Sequence, residues 1–164
     1  MDRPEFATYV GDRSARLMRT AYLLCGDWAM AEDLVQTALT KAWLAWHRIG
    51  DDPDPYVYRI LANTHASWWR RRWRGEVPTA RLPEQAAPAT TAIEDRDVLW
   101  DALGRLKEQE RAAIVLRYYA DLDYARIADI LGRPTGTVRS QISRALAKLR
   151  VDRAVLPVRE GDRE

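Results

Sequence analysis

Positive charge, hydroxyl donors and an absence of acid coincide in GTVRSQISRALAK, where helical spacing would put Gly136, Arg139, Ser140, Ser143, Arg144 and Lys148 on one face. Guanidinium forks and hydroxyls of this kind match the phosphates and base edges of a DNA major groove. A second cluster lies in YVYRILANTHASWWRRRWR. There Arg59, Asn63, Ser67 and Arg70 or Arg71 recur at intervals of about four, and the run from Arg70 to Arg74 holds four arginines in five residues, interleaved with Trp69 and Trp73. Basic side chains neutralise phosphates and release counterions, while aromatic planes stack on unpaired bases. Opening a duplex needs both. Catalytic patterns are missing by contrast: two histidines, His47 and His65, one cysteine and no Gly-rich phosphate loop or metal-ligand spacing give no catalytic residue, metal site or cofactor to expect.

The basic face at the carboxy-terminal end needs a helix-turn-helix to carry it. Tyr124, Ile127, Ala128 and Leu131 recur at helical spacing, and Gly132 is free to take the left-handed conformation that closes a helix. Arg133 and Pro134 make the turn. Thr135 is the expected cap of the second helix, whose inner stripe is Val138, Ile142, Ala145, Leu146 and Leu149. Upstream, an inner stripe of Val98, Leu99, Ala102, Leu103 and Leu106 starts from Ile93 or Glu94, and Glu94, Asp95 and Asp97 favour its first turn through the helix dipole. KEQERAAIVLRYYADL follows and is expected to pack beneath the helix-turn-helix.

The amino-terminal part reads as three more helices. The first runs from Glu5 to Leu24 with Phe6, Tyr9, Val10, Leu17, Ala21 and Leu24 inward, and Gly26 and Asp27 end it. The second runs from Trp28 or Ala29 to Ile49, with Ala31, Leu34, Val35, Ala38, Leu39, Ala42 and Trp46 inward and Glu32, Asp33, Gln36, Thr40, Lys41 and Arg48 outward. DDPDP separates the third, Tyr56 to Arg74, because each proline pushes its predecessor out of the helical region. Its inner face is Val57, Ile60, Leu61, Thr64 and Trp68. From Gly75 to Ala92 three prolines and many small residues break any period, which predicts a flexible linker. Such a tether of roughly 18 residues has a mean span of about 21–25 Å. The last residues, Val151 to Glu164, with Pro157 and Gly161, are expected to fray.

With 164 residues, 47% hydrophobic and 30% charged, the chain has material for two modest cores of a globular protein. A formal net charge of +2 is too small to imply nucleic-acid binding, so that inference rests on local clusters. Cys25 cannot form an internal disulfide and is expected to be a buried structural thiol. With neither a signal-peptide pattern nor a membrane-spanning apolar run, a cytoplasmic protein without membrane insertion is expected.

YARIADILGRPTGTVRSQISRALAKLR resembles the carboxy-terminal promoter-reading helix-turn-helix of bacterial sigma factors, in particular the extracytoplasmic-function (ECF) class of the sigma-70 family. AEDLVQTALTKAW is similar to that family's segment for the clamp helices of RNA polymerase, with Asp33 and Gln36 at polar contact positions and Thr37 where glutamate is usual. YVYRILANTHASWWRRR resembles the segment that recognises and opens the −10 element, with Arg59 and Asn63 on DNA-facing positions and the loop Arg48 to Asp54 where the family forms a pocket for a flipped-out base. Ser67 and Trp68 replace the common Asp-Arg pair, and the tryptophans resemble an actinobacterial subgroup.

The resemblance implies an all-α chain of two small helical domains joined by a flexible linker: region 2 over 1–74, a linker over 75–92, region 4 over 93–150 and a tail over 151–164. It implies core polymerase contacts at Glu32, Asp33, Gln36, Thr37 and Lys41, −10 contacts at Arg59, Asn63, Ser67, Arg70, Arg71 and Trp73, and −35 contacts at Gly136, Arg139, Ser140, Ser143 and Arg144. The partners implied are core RNA polymerase and promoter DNA, with an anti-sigma factor as a further candidate. The alternative is a free-standing helix-turn-helix regulator whose amino-terminal helices sense a ligand or dimerise.

Overall fold

The computed structural model describes residues 3–73 and 99–149, all in helices and short turns. The expected linker, the start of the fourth helix with its acidic first turn and Val98, the side chain of Trp73, Arg74 and the tail lie outside the described residues. Helices α1 (Arg3–Cys25), α2 (Trp28–Ala45) and α3 (Asp54–Trp73) form the first half. Residues 99–104 (α4), α5 (Glu108–Tyr118), α6 (Tyr124–Leu131) and α7 (Thr135–Leu149) form the second.

The α1–α2 turn follows from two residues. Gly26 takes a left-handed φ of 73° and its N–H bonds Tyr22 O at 2.6 Å, which closes α1. Asp27 is extended, and its side chain accepts from Met30 N at 2.9 Å, which opens α2. The expected inner stripe of α2 is buried throughout, from Ala31 to Ala42 and on to Trp46. Each fully buried Leu or Val there stabilises the fold by about 1.5–3 kcal/mol. The helix is shorter than its sequence suggests, because the α-form ends at Ala45 and one 3-10 turn, Trp46–Arg48, tips Trp46 onto Phe6 and Tyr9. Tyr9 then donates to Asp54 Oδ1 at 2.9 Å, with Arg13 Nε 3.4 Å from the same oxygen, and this ties α1 to the first turn of α3.

In the second half Gly132 is again left-handed, φ 63°, and Arg133 N reaches back to Ala128 O at 3.0 Å. This closes α6 as expected. Thr135 is not the cap of α7 but its first helical residue. Val138 N donates to Pro134 O at 3.1 Å, so the fixed φ of Pro134 starts the helix one position earlier. Val138, Ile142, Ala145 and Leu149 are buried as the spacing predicts, Leu146 is half-buried, and Gln141 joins them, bonded to Gln109 at 3.2 Å. In α6 the buried set is Ile127, Ala128 and Ile130, with Tyr124 and Leu131 only half-covered.

The buried residues of both halves belong to one cluster. At the seam α1 and α5 exchange arginines: Arg111 Nε donates to Leu24 O, and Arg16 Nε donates to Tyr119 O, each at 3.1 Å. Each guanidinium therefore meets a carbonyl at the end of the other helix, where the dipole favours a cation. Trp100 of α4 lies over Gly26, where an added Cβ would come within 2.1 Å of the ring, and Arg111 lies over the same indole at 5.2 Å. Only glycine fits both the left-handed turn and this close approach. Cys25, expected to be buried, is half-buried beside this contact, with Sγ 3.3 Å from Asp27 O.

Candidate nucleic-acid interface

Three surfaces carry the residues singled out by the sequence. On α7, Gly136, Arg139, Ser140, Ser143 and Arg144 are all exposed, as the buried stripe on the opposite side requires. Ser140 Oγ donates to Gly136 O at 3.0 Å, so its hydroxyl is turned back onto the helix. Lys148, at the far end, is bonded to Glu110 Oε2 at 2.8 Å. Burial would raise the Glu110 carboxyl, but the Lys148 ammonium and the Lys107 backbone outweigh it and hold it below its ordinary value. Glu110 thus stays charged under the end of α7, and it was not visible in a face read as free of acid. Arg139 also has a partner that spacing did not suggest: its Cζ lies 4.8 Å from the ring centroid of Tyr124, over which Arg117 also sits at 4.5 Å.

On α3, Arg59, Asn63, Arg70 and Arg71 are exposed and Ser67 is half-covered. Trp69 is exposed to 37%, whereas Trp68 is half-buried and packs against the core. Beneath them His65 is buried, its Nε2 3.7 Å from Glu108 Oε1, and neither ring nitrogen has a hydrogen-bond partner. Burial, followed by the nearby Arg111 charge, lowers the imidazole to about 4, while burial raises the Glu108 carboxyl. His65 is therefore neutral near pH 7, a core residue rather than a ligand. In the loop before α3, exposed Asp52 pairs with Arg126 Nη1 of α6 at 3.1 Å.

On α2, Glu32, Asp33, Gln36 and Lys41 are exposed and Thr37 is partly so. Glu32 and Gln36 stand at the rim of a groove of about 550 Å³ between α1 and α2, walled by Phe6, Met18, Leu39 and Trp43. The groove went unseen in the sequence because its wall uses inward-stripe residues, Phe6 and Leu39, together with Trp43 from the outer side. His47 is exposed. Among the described residues no three His, Cys, Asp or Glu side chains lie close enough to hold a metal ion, and no helix is long and apolar enough to cross a membrane.

The chain is similar to known proteins over both halves. Residues 10–75 match the family described as Sigma-70 region 2, and residues 96–149 match Sigma-70, region 4. The chain is 41% identical over 149 residues to the RNA polymerase sigma-E factor of Streptomyces coelicolor, covering 89% of this chain and 84% of that protein. It is 36% identical over 148 residues to the ECF RNA polymerase sigma factor SigL of Mycobacterium tuberculosis, covering 85% and 84%. The fold is similar to that of the sigma factor RpoE of Bartonella quintana, solved in complex with the anti-sigma factor NepR, with a TM-score of 0.72, 28% identity and coverage of 90% of this chain and 95% of that one. CnrH, solved with the cytosolic domain of CnrY, shares the fold at a TM-score of 0.68 and 23% identity, with coverage of 93% and 91%.

Proposed function

The chain belongs to the sigma-70 family of RNA polymerase sigma factors, in its ECF class, and from that membership we propose how its surfaces divide the work of starting transcription. A sigma factor binds core RNA polymerase and promoter DNA. In this chain residues 1–74 take the polymerase and the −10 element, residues 93–150 take the −35 element, 75–92 joins the two, and 151–164 is a tail. The outer face of α2, with Glu32, Asp33, Gln36, Thr37 and Lys41, meets the polymerase. Arg59, Asn63, Ser67, Arg70, Arg71 and Trp73 of α3 engage the −10 element, where cations hold the backbone and aromatic planes receive unstacked bases. Gly136, Arg139, Ser140, Ser143 and Arg144 of α7 enter the −35 major groove, Gly136 giving close backbone approach and the arginines supplying base and phosphate contacts. The protein acts in the cytoplasm, carries out no chemistry of its own, and is held in reserve by an anti-sigma factor.

The observation that carries this reading is the exposed outer face of α7, set behind a left-handed turn, in the same chain as the exposed Arg59–Asn63 face of α3. A free-standing regulator accounts for the first feature and leaves the second without a use. Run-off transcription with core polymerase on a genomic fragment library, with and without the protein, tests it. New discrete transcripts whose start sites share two spaced upstream elements are expected. DNA binding without stimulated transcription would return the choice to the regulator. In gel filtration with core polymerase, Asp33→Arg is expected to abolish co-elution.

A further inference from the structure

An exposed arginine on a helix normally samples many rotamers, and entry into a groove must freeze them. Arg139, in the second turn of α7, is partly frozen beforehand. Its guanidinium carbon lies 4.8 Å from the centre of the Tyr124 ring, inside the roughly 6 Å over which a cation is drawn to an aromatic face. The ring is itself a fixed platform. Asp123 caps α6 by accepting from Arg126 N at 2.8 Å, which sets the backbone at Tyr124. Arg117 lies over the same ring at 4.5 Å, and its Nη1 donates to Leu122 O at 3.2 Å, which ties it to the turn that leads into α6. Tyr124 is half-covered by the protein, so it does not swing with solvent as Arg139 would alone.

We infer that Tyr124 is a positioning and specificity-determining residue for promoter reading: its ring holds the Arg139 guanidinium ahead of contact and so favours the paired acceptors of one guanine in the upstream element over the nearest phosphate. A guanidinium lying against an aromatic face spends that face on the ring and keeps its in-plane N–H donors for a ligand, and O6 and N7 of guanine accept two of them together. A phosphate offers its oxygens over a wide range of directions, whereas O6 and N7 of guanine accept only in the base plane, so the guanine gains more from a preset fork. The inference rests on the assignment of α7 to the upstream element.

The test uses full-length protein with core polymerase on a promoter library randomised through the upstream element, sequencing the transcripts to give a base preference at every position. Arg139→Ala is expected to erase the preference at one position. Tyr124→Leu is expected to lower the preference at that same position by about two- to fivefold, the size carried by an exposed cation–π contact, with the other positions unchanged. Tyr124→Phe keeps the ring and is expected to match wild type, and the double variant Tyr124→Leu with Arg139→Ala to match Arg139→Ala alone. Tyr124→Met runs in parallel, so that a leucine variant that fails to fold does not end the measurement. The inference is overturned if the leucine and methionine variants leave that position intact, if they weaken all positions alike, or if the phenylalanine variant behaves as they do. If Arg139→Ala changes no position, the assignment of α7 fails and the role of Tyr124 falls with it.

Discussion

Inside the first half, α2 is held by Leu34, Val35, Ala38 and Ala42, every one buried among apolar neighbours of α1 and α3. The seam between the halves is built differently. It carries two arginines aimed at backbone carbonyls, an exposed ion pair between Asp52 and Arg126, and an uncharged His65 facing Glu108. Apolar burial does not depend on direction, so a stripe that shifts slightly loses little, whereas a hydrogen bond to a carbonyl is lost within a few tenths of an ångström. The difference teaches that the halves hold by burial, whereas their joint adds to its apolar contacts a set of directional ones whose strength depends on charge, acid and salt.

The largest expected effect sharpens the core side of this contrast. Leu61→Ala, at a position with no exposure, is expected to cost about 2–5 kcal/mol in urea unfolding. A cost under about 1 kcal/mol would mean the first half is no better packed than the seam. Next comes acid. His65 titrates near 4 when folded and near its ordinary 6.5 when unfolded, so the unfolded chain binds the extra proton and stability falls as pH drops from about 6.5 to about 4. The full effect is on the order of 3 kcal/mol. Glu108, raised by burial, works in the opposite direction as it protonates, so the measurement is the difference between wild type and His65→Leu across that range, made in a Glu108→Gln background. Identical pH profiles would remove the histidine from the account.

Arg111→Met tests the backbone-directed contacts. It keeps the packing on Trp100 but leaves Leu24 O without its donor, and a loss of about 1–3 kcal/mol is expected in the same unfolding assay. Scattering should show a larger radius of gyration as the halves part. A smaller loss with an unchanged radius would break the contrast, since the seam would then hold by apolar contact alone. Arg126→Ala has the smallest effect, within about 1 kcal/mol and vanishing in high salt, because both partners of its ion pair are about half exposed.

The two classes of contact were also legible in the sequence to different degrees. The stripes of α2 and α7 follow helical spacing residue by residue, and so do the exposed arginines and serines opposite them, because an amphipathic period fixes both faces at once. Gly26 and Gly132 announced their turns. Thr135 misled because a threonine beside a proline offers two helix starts, and the fixed φ of Pro134 takes the earlier one. Glu110 and Arg111 sit in the charged run KEQER, whose composition gives no sign of burial, yet they are 5% and 6% exposed, each satisfied by an element distant in sequence. No local pattern encodes a partner 87 residues away. Tyr124 was hidden for another reason: its spacing assigned it to an apolar stripe, and a stripe does not tell a core ring from one that carries a cation on its face.

Cys25, the chain's one cysteine, sits where the halves meet, its thiol pushed up to about 12 chiefly by burial. A protonated, half-buried thiol is a poor nucleophile, so an alkylating reagent at neutral pH should modify it more slowly while α1, α4 and α5 stay together than when they part. Once they part, the thiol regains solvent and its ordinary acidity, and the reaction quickens. Cys25 can therefore gauge opening: a pulse of maleimide given to living cells would record, molecule by molecule, whether the halves were apart or together at that moment.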